Sequence, residues 1–344
     1  MSDFAGSHGW LLDPGGGTPR AMRGQRPRAE RPSDAEIAAA AGAAVVARQP
    51  LSDRAERLRF ADGRSAVLKV GGFWSPETER LLYRHVLDPS LDGSPALLAG
   101  RDRWLLLEDL GDRRVPLEAC DPCFARLAET HAARAGAARG WPEEVRRALA
   151  AAPLTVLDEG AFARRVEALA GLVERAGRAS DAWELGDAET AAVDRLRRWV
   201  ERAAPALWTS GPTTLLHGDF QCGNWLAGPR AARPRLVDWE LAGLGPGILD
   251  LYYLDPEGAG AAHAPAGAAA GRALAAYAER LSIGLLRDAV VWGALVGAVM
   301  RLADYFAEPP RSRTPPGELP GAAAALIRYA ARYAAPGRPD GRVR

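Results

Sequence analysis

Along this chain the spacing of apolar positions changes several times, and each change marks an element. Residues 1–32, rich in Gly, Pro and Arg, carry no sustained apolar period and predict a disordered tail. Ser33 and Glu36 then stand at capping-box spacing and open a short Ala-rich helix that stops near Gly42. In RAERLRFADGRSAVLKV, Leu58 and Phe60 alternate with polar residues, Asp62-Gly63 supplies a hairpin turn, and a strand resumes over Ala66 to Val70. ETERLLYRHV, Glu77 to Val86, reads as a helix with Leu81, Leu82, His85 and Val86 available for burial. RWLLLEDL, Arg103 to Leu110, reads as a buried strand running into a Gly-Asp turn.

From Pro116 the period lengthens. CFARLAETHAARAG, AFARRVEALAGLVERAG and TAAVDRLRRWVERAAPALW place apolar residues at three- and four-residue steps, as helices do. Strand-like runs return only at TTLLHGD and PRLVDWE, separated by GNWLAGPRAARP, and helices resume from about Ala268 to the end. The expected fold class is α+β and bilobal: a small antiparallel-sheet lobe over 33–110, a large mostly helical lobe over 111–337, and a tail at 338–344. No internal repeat is present.

Composition narrows the function classes. With 344 residues the chain is long enough for a sizeable core. Apolar residues at 48% and charged residues at 25% are ordinary for a soluble globular protein, and a formal net charge of +1 provides no field toward nucleic acid or an anionic membrane. The longest apolar run, Ala289 to Met300, has 12 residues, too short to span a bilayer. Three cysteines make no disulfide framework. Cys120 and Cys123 form a CxxC without a second ligand pair or a redox-fold context, and are expected to be small buried residues. A cytoplasmic protein, monomer or homodimer, with no nucleic-acid or membrane partner is the expectation.

Two exceptions to the composition carry the chemistry. Lys69 is the sole lysine and Asn224 the sole asparagine; every other Lys/Arg position is arginine. A GC-rich coding sequence accounts for the scarcity but not for the exceptions. Arginine replaces lysine on a solvated surface at little cost, but not where a compact ammonium must meet phosphate oxygens. Asn224 lies in HGDFQCGN with His217 and Asp219, and Asp238 follows after a hairpin. Apolar residues precede both acids, so two adjacent short strands would bring Asp219, Asn224 and Asp238 to one edge. Two carboxylates and an amide oxygen are hard ligands suited to Mg²⁺; zinc is disfavoured by one His and a Cys222 without soft partners. The Asp219–Asn224 step also matches the kinase catalytic loop, in which the Asp accepts the acceptor hydroxyl's proton and an Asn five residues on holds metal. A strand lysine contacting the α/β-phosphates and held by a helix glutamate completes that pattern. Glu79 is the better candidate for the glutamate and Glu77 the second.

Together these residues resemble the aminoglycoside phosphotransferase and choline-kinase-like family, distant relatives of the protein kinases. The family's HGDxxxxN reads His217-Gly218-Asp219 through Asn224, and its metal motif reads Val237-Asp238-Trp239-Glu240. GxxxxDL reads Gly245 through Asp250-Leu251, ExxxY reads Glu79 to Tyr83, the LLLEDL linker reads Leu105 to Leu110, and LxxLHxA loosely resembles Leu127 to Ala132. The resemblance covers about residues 40–305 in the family's order and implies a protein-kinase-like fold. It implies that Asp219 is the catalytic base or positioning residue and that Asn224 and Asp238 hold Mg²⁺. Lys69, paired with Glu79, would hold the phosphates of ATP or GTP, with backbone groups around Glu108, Asp109 and Leu110 reading the base. His217 and Asp250 would brace the catalytic loop. Two departures stand out: the expected phosphate-covering loop, about Val45 to Arg57, contains no glycine, and Cys222 sits where the family often has proline.

Only 11 residues separate Asp238 from Asp250 and no APE motif follows, which favours a small hydroxylated acceptor over a protein. The family builds its acceptor site from the regions that correspond here to about 142–210 and 255–335. The acceptor expected is an antibiotic-like molecule, an aminoglycoside, nucleoside or related compound: Asp158, Glu159, Asp181, Glu184, Asp187 and Glu189 would suit a polycationic aminoglycoside, while from Leu251 to the end Arg outnumbers acids 11 to 8, a slight tilt toward a neutral or mixed-charge antibiotic, nucleoside or sugar. Trp183, Trp199 and Trp208 are read as core residues that a pocket would also suit. The alternatives are a choline- or homoserine-type metabolic kinase and a non-catalytic pseudokinase; the latter should have lost one of Lys69, Asp219, Asn224 or Asp238, and none is lost.

Overall fold

The computed structural model describes residues 31–71, 76–101, 103–152, 155–158, 212–227, 233–254 and 267–281, with isolated positions between 160 and 198. The tail at 1–30, the Ala289 to Met300 run and the three tryptophans named above lie outside the described residues.

The N-terminal lobe is built on a five-stranded antiparallel sheet. Helix α1 (Asp34–Ala41) opens on the capping box between Ser33 and Glu36 and closes on Gly42 in the left-handed region. Strands β1 (Val45–Pro50), β2 (Ala55–Phe60) and β3 (Ser65–Val70) follow, then α2 (Pro76–His85), β4 (Leu97–Arg101) and β5 (Trp104–Glu108). The strand order is β1-β2-β3-β5-β4. The Asp62-Gly63 turn joins β2 to β3 as the sequence implies, with Gly63 at φ 83°. The stretch expected to be a phosphate-covering loop, 45–57, is β1, a tight turn at 51–54 and the start of β2. Ser52 holds that turn by accepting from the backbone N–H groups of Arg54 and Ala55, so a hydroxyl does locally what glycine would do elsewhere.

The period of two along β3 divides the sheet into two faces. Ala66, Leu68 and Val70 join Leu58, Phe60, Trp104 and Leu106 in a core closed by Ile37 of α1. Val67 and Lys69 point the other way, toward the second lobe.

In that lobe α3 (Asp121–Arg134), α4 (Glu143–Ala150) and α5 (Gly267–Leu281) supply the described helices. Helix α3 packs along α5 and beneath the segment 217–225, where Phe124 meets Phe220 and Trp225 edge-on at 5.0 and 5.4 Å. Four short strands appear rather than two: β6 (Thr213–Leu216) pairs with β9 (Gly243–Pro246), and β7 (Trp225–Leu226) with β8 (Arg235–Leu236). The sequence reading expected the strands preceding Asp219 and Asp238 to be adjacent; instead they are not paired with each other. Each acid leaves its own two-stranded ribbon, because the β7–β8 hairpin satisfies its own backbone groups. Cys120 and Cys123 are buried, and burial pushes the Cys120 thiol up to about 11, as befits core residues. Among the described residues no helix is long and apolar enough to cross a membrane.

Candidate active site

Lys69 lies at the seam of the lobes. Its ammonium is 2.7 Å from Glu79 Oε2 and 2.6 Å from Asp238 Oδ1. Helix α2 buries Glu79 with Thr78, Leu81, Leu82 and Tyr83, while Glu77 on the same helix is exposed, so Glu79 is the partner. Burial alone would depress the Lys69 ammonium; the carboxylates of Asp238, Glu79 and Glu240 outweigh it and hold it well above the usual lysine range. Burial pushes Glu79 up to about 7 against the pull of Lys69, with Asp238 and Glu240 adding to the rise. Asp238 is half-buried, and although desolvation opposes its ionisation, Lys69 holds it below the ordinary aspartate range.

Backbone geometry aims Asp238. Its φ of 68° makes it the one non-glycine residue in the left-handed region among the described residues. Such a conformation costs on the order of 1–3 kcal/mol and clusters at functional positions. Immediately after it, Glu240 on the 3₁₀ turn Trp239–Leu241 comes close enough to Glu79 and Asp238 for one oxygen from each to lie within 4.8 Å of the others. Arg54, from the turn between β1 and β2, reaches across to Glu240 at 3.0 Å. The DWE motif was visible in the sequence, but no role for Glu240 followed from it. Arg54 gave no sequence signal, being one arginine among many.

The segment 217–224 is held from several sides. Asn224 donates through Nδ2 to the Asp219 backbone carbonyl at 2.8 Å and to its Oδ2 at 2.9 Å. Gln221 donates to the same oxygen at 3.2 Å. The amide nitrogen is thus spent on Asp219, and the amide oxygen is the end that could face a cation. The Asn224 carbonyl accepts from Val237 N–H at 3.1 Å, tying this loop to the residue before Asp238. His217 donates through Nε2 to the Val237 carbonyl at 3.0 Å and accepts through Nδ1 from Asp219 N–H at 3.3 Å. Burial lowers its pKa and keeps the ring neutral, which suits this pair of bonds. Asp250 accepts from the backbone N–H groups of His217 at 2.6 Å and Gly218 at 2.8 Å, and from His131 Nε2 at 3.1 Å. Burial opposes its ionisation, but the His131 bond and these donors hold it below the usual aspartate range. Gly218 sits at φ 80°, where a side chain is strained.

The linker residues are placed but not all alike. Glu108 Oε2 accepts from Ala96 N–H at 3.1 Å and from Arg235 at 2.7 Å, and Leu110 is buried. Asp109 is paired with Arg57 of β2. The structure thus joins Lys69, Glu79 and Asp238 in one cluster, Asp219 and Asn224 in a second, and His217 and Asp250 in a brace behind them. The His131 link through α3 was only loosely legible as part of LxxLHxA.

The sequence model of the phosphotransferase enzyme family (APH) matches residues 33–285. The chain belongs to this family. No curated protein sequence matches it. Among solved structures it is similar to the macrolide 2'-phosphotransferase MphH from Brachybacterium faecium, at 20% identity and TM-score 0.55, covering 89% of this chain and 97% of that one. It is similar to the choline kinase LicA from Streptococcus pneumoniae, at 10% identity and TM-score 0.58, covering 87% and 97%. An aminoglycoside phosphotransferase from Alicyclobacillus acidocaldarius aligns at 17% identity and TM-score 0.51, covering 84% and 89%. At these identities the likeness shows the fold, the bilobal protein-kinase-like arrangement, and the family model places the chain among small-molecule phosphotransferases.

Proposed function

We propose that this phosphotransferase moves the γ-phosphoryl group of ATP or GTP to a hydroxyl of a small, neutral or mixed-charge molecule of the antibiotic, nucleoside or sugar class, in resistance or in biosynthesis. The observation that carries the reading is the half-buried contact of the chain's sole lysine with both Glu79 and Asp238, set beside an Asp219–Asn224 pair already oriented by hydrogen bonds. A protein that only bound nucleotide would have no use for keeping all of these groups in register.

The donor set fits a divalent cation of the hard class. Asp238 gives Lys69 its Oδ1 and retains Oδ2, Asn224 retains its amide oxygen, and Glu240 and Glu79 add carboxylates close by. Asp238 and Asn224 would hold Mg²⁺, whose role when bound is to neutralise charge on the phosphoryl oxygens. Lys69, oriented by Glu79, binds the α- and β-phosphates. Asp219 receives the acceptor's hydroxyl proton as the acceptor oxygen bonds to the γ-phosphorus; the bond from that phosphorus to the β-bridging oxygen breaks, and the nucleoside diphosphate leaves. Rate comes mainly from position and charge neutralisation.

Most of the expected acceptor region lies outside the described residues, including Glu159, Asp181, Glu184, Asp187 and Glu189; Asp158 is described and exposed, as a solvated position would be. The acceptor class therefore rests on charge balance and on the short segment between Asp238 and Asp250. The test is a mass-spectrometric screen for the gain of one phosphoryl group across hydroxylated antibiotics, nucleosides, sugars and amino alcohols, with ATP and GTP in parallel. A phosphorylated neutral or mixed-charge compound supports the reading. Transfer confined to choline or homoserine would replace it with the metabolic alternative, and absence of transfer to any acceptor would remove it.

A further inference from the structure

Arg57 is a charged side chain whose neighbours across and along its face of the sheet include the apolar Ala55, Val67, Leu105 and Leu107. In the β2–β3 ladder Ala55 is opposite Lys69 and Arg57 opposite Val67; in the β3–β5 ladder Lys69 is opposite Leu105 and Val67 opposite Leu107. Arg57 therefore shares the face of the sheet that carries Lys69 and meets the second lobe. It stands one pleat repeat from Ala55 and Lys69 toward the linker that follows β5, among Val67, Leu105 and Leu107, and is 9% exposed. On the proposed nucleotide reading, phosphates lie at Lys69 and the base lies toward Glu108 to Leu110. Arg57 stands over the base end.

Its guanidinium is fixed in plane. Nε donates to Asp109, 3.1 Å from Oδ1 and 2.9 Å from Oδ2, while Nη1 and Nη2 form a fork to the two oxygens of Asp112 at 2.9 and 2.7 Å. Guanidinium donors act only within the plane, so two edges are occupied by carboxylates, and the flat faces interact by stacking. Asp109 is itself anchored, accepting from Gly111 N–H at 3.0 Å. A plane held at two edges beside a linker is suited to an aromatic ring lying parallel to it, and unsuited to reading that ring's hydrogen-bonding edge.

We infer that Arg57, held by Asp109 and Asp112, forms a cationic ceiling on which the base of the nucleotide stacks, retaining adenine and guanine alike without distinguishing them. This rests on the nucleotide-binding reading of the cleft.

The test is calorimetric titration of the full chain with ATP, GTP and inorganic tripolyphosphate, each with Mg²⁺. The variants are Arg57→Ala, Arg57→Lys and the double variant Arg57→Ala/Asp109→Asn, which leaves no unpaired buried carboxylate and so guards against a folding defect. Cation–π stacking predicts that Arg57→Ala weakens ATP and GTP binding by about 3- to 30-fold, to a similar extent for both, with tripolyphosphate binding unchanged. Arg57→Lys should weaken both nucleotides as well, because an ammonium presents no plane, and the loss should persist in the double variant. Unchanged nucleotide affinity in all three variants overturns the inference. So does an equal loss for tripolyphosphate, which would make Arg57 a brace of the whole cleft, or a loss confined to one purine, which would mean edge recognition. Wild-type protein that binds neither nucleotide would overturn the nucleotide reading along with it, and is recognisable because no variant is needed to see it.

Discussion

An arginine at position 69 would keep the charge and lose the fit. The Lys69 ammonium touches Glu79 and Asp238 together, within 2.7 and 2.6 Å, in a site too buried for a broad guanidinium fork to enter without displacing one of them. Lys69→Arg is expected to lower turnover by about 10²-fold, measured by steady-state phosphoryl transfer, because misplacement of this order carries such a cost. Asp219→Asn should lower turnover on the order of 10²–10⁴-fold while nucleotide binding is retained; turnover equal to wild type would remove Asp219 from the mechanism. Glu79 provides a pH signature. Its pKa is raised from an ordinary 4.5 to about 7, so the folded state favours its protonated form. The stability linked to that proton is present below about pH 4.5 and lost as pH rises through about 7. Thermal unfolding should therefore show wild-type protein losing stability relative to Glu79→Gln between pH 5 and 8; a constant difference across that range would contradict the raised value.

At the scale of elements, the segment 217–224 is a loop held in place by its neighbours. Asp250 collects two backbone N–H groups from it and one imidazole N–H from α3, and His131 in turn meets Tyr277 of α5 at 2.7 Å. Gly247 leaves the room for this: a Cβ there would stand 2.5 Å from His131 Nδ1 and 2.9 Å from the Tyr277 hydroxyl. Gly247→Ala is expected to cost about 1–3 kcal/mol by overpacking, read from denaturant unfolding, and to lower turnover with it. The elements that sequence alone made legible are those with local signals: the capping box of α1, the Asp-Gly turn between β2 and β3, the α2 helix that presents Glu79. What stayed hidden depended on distant contacts. Strand β1, VVARQP, mixes two strand-forming valines with Arg, Gln and a closing Pro and no alternation, and forms as a strand where β2 pairs with it. The ribbons β6–β9 and β7–β8 could not be sorted from apolar runs of two to four residues, since each run suits either partner. Arg54 and Arg57 took meaning only once the register put one beside Glu240 and the other beside Asp109.

Across the whole molecule, the cleft is spanned by charge. Lys69 and Arg54 from the first lobe meet Asp238 and Glu240 from the second, while Arg235 reaches back to Glu108 and to the carbonyls of Gly93 and Ser94. The Arg54–Glu240 contact couples the β1–β2 turn to the Asp238 side of the cleft. Glu240→Gln should therefore speed amide hydrogen exchange in residues 51–55 without changing exchange in the core strands β3 and β5; unaltered exchange in the turn would show that this contact does not hold it down. The account as a whole requires that Asp238 and Asn224 complete a cation site only when nucleotide phosphates occupy the cleft. The most direct measurement is electron paramagnetic resonance titration of Mn²⁺, standing in for Mg²⁺, against wild-type protein, Asp238→Ala and Asn224→Ala, with and without ATP or GTP. We predict nucleotide-dependent Mn²⁺ binding by the wild type, beyond that of nucleotide alone, and its loss in both variants; Mn²⁺ binding that ignores nucleotide, or that survives in Asp238→Ala, would contradict the account.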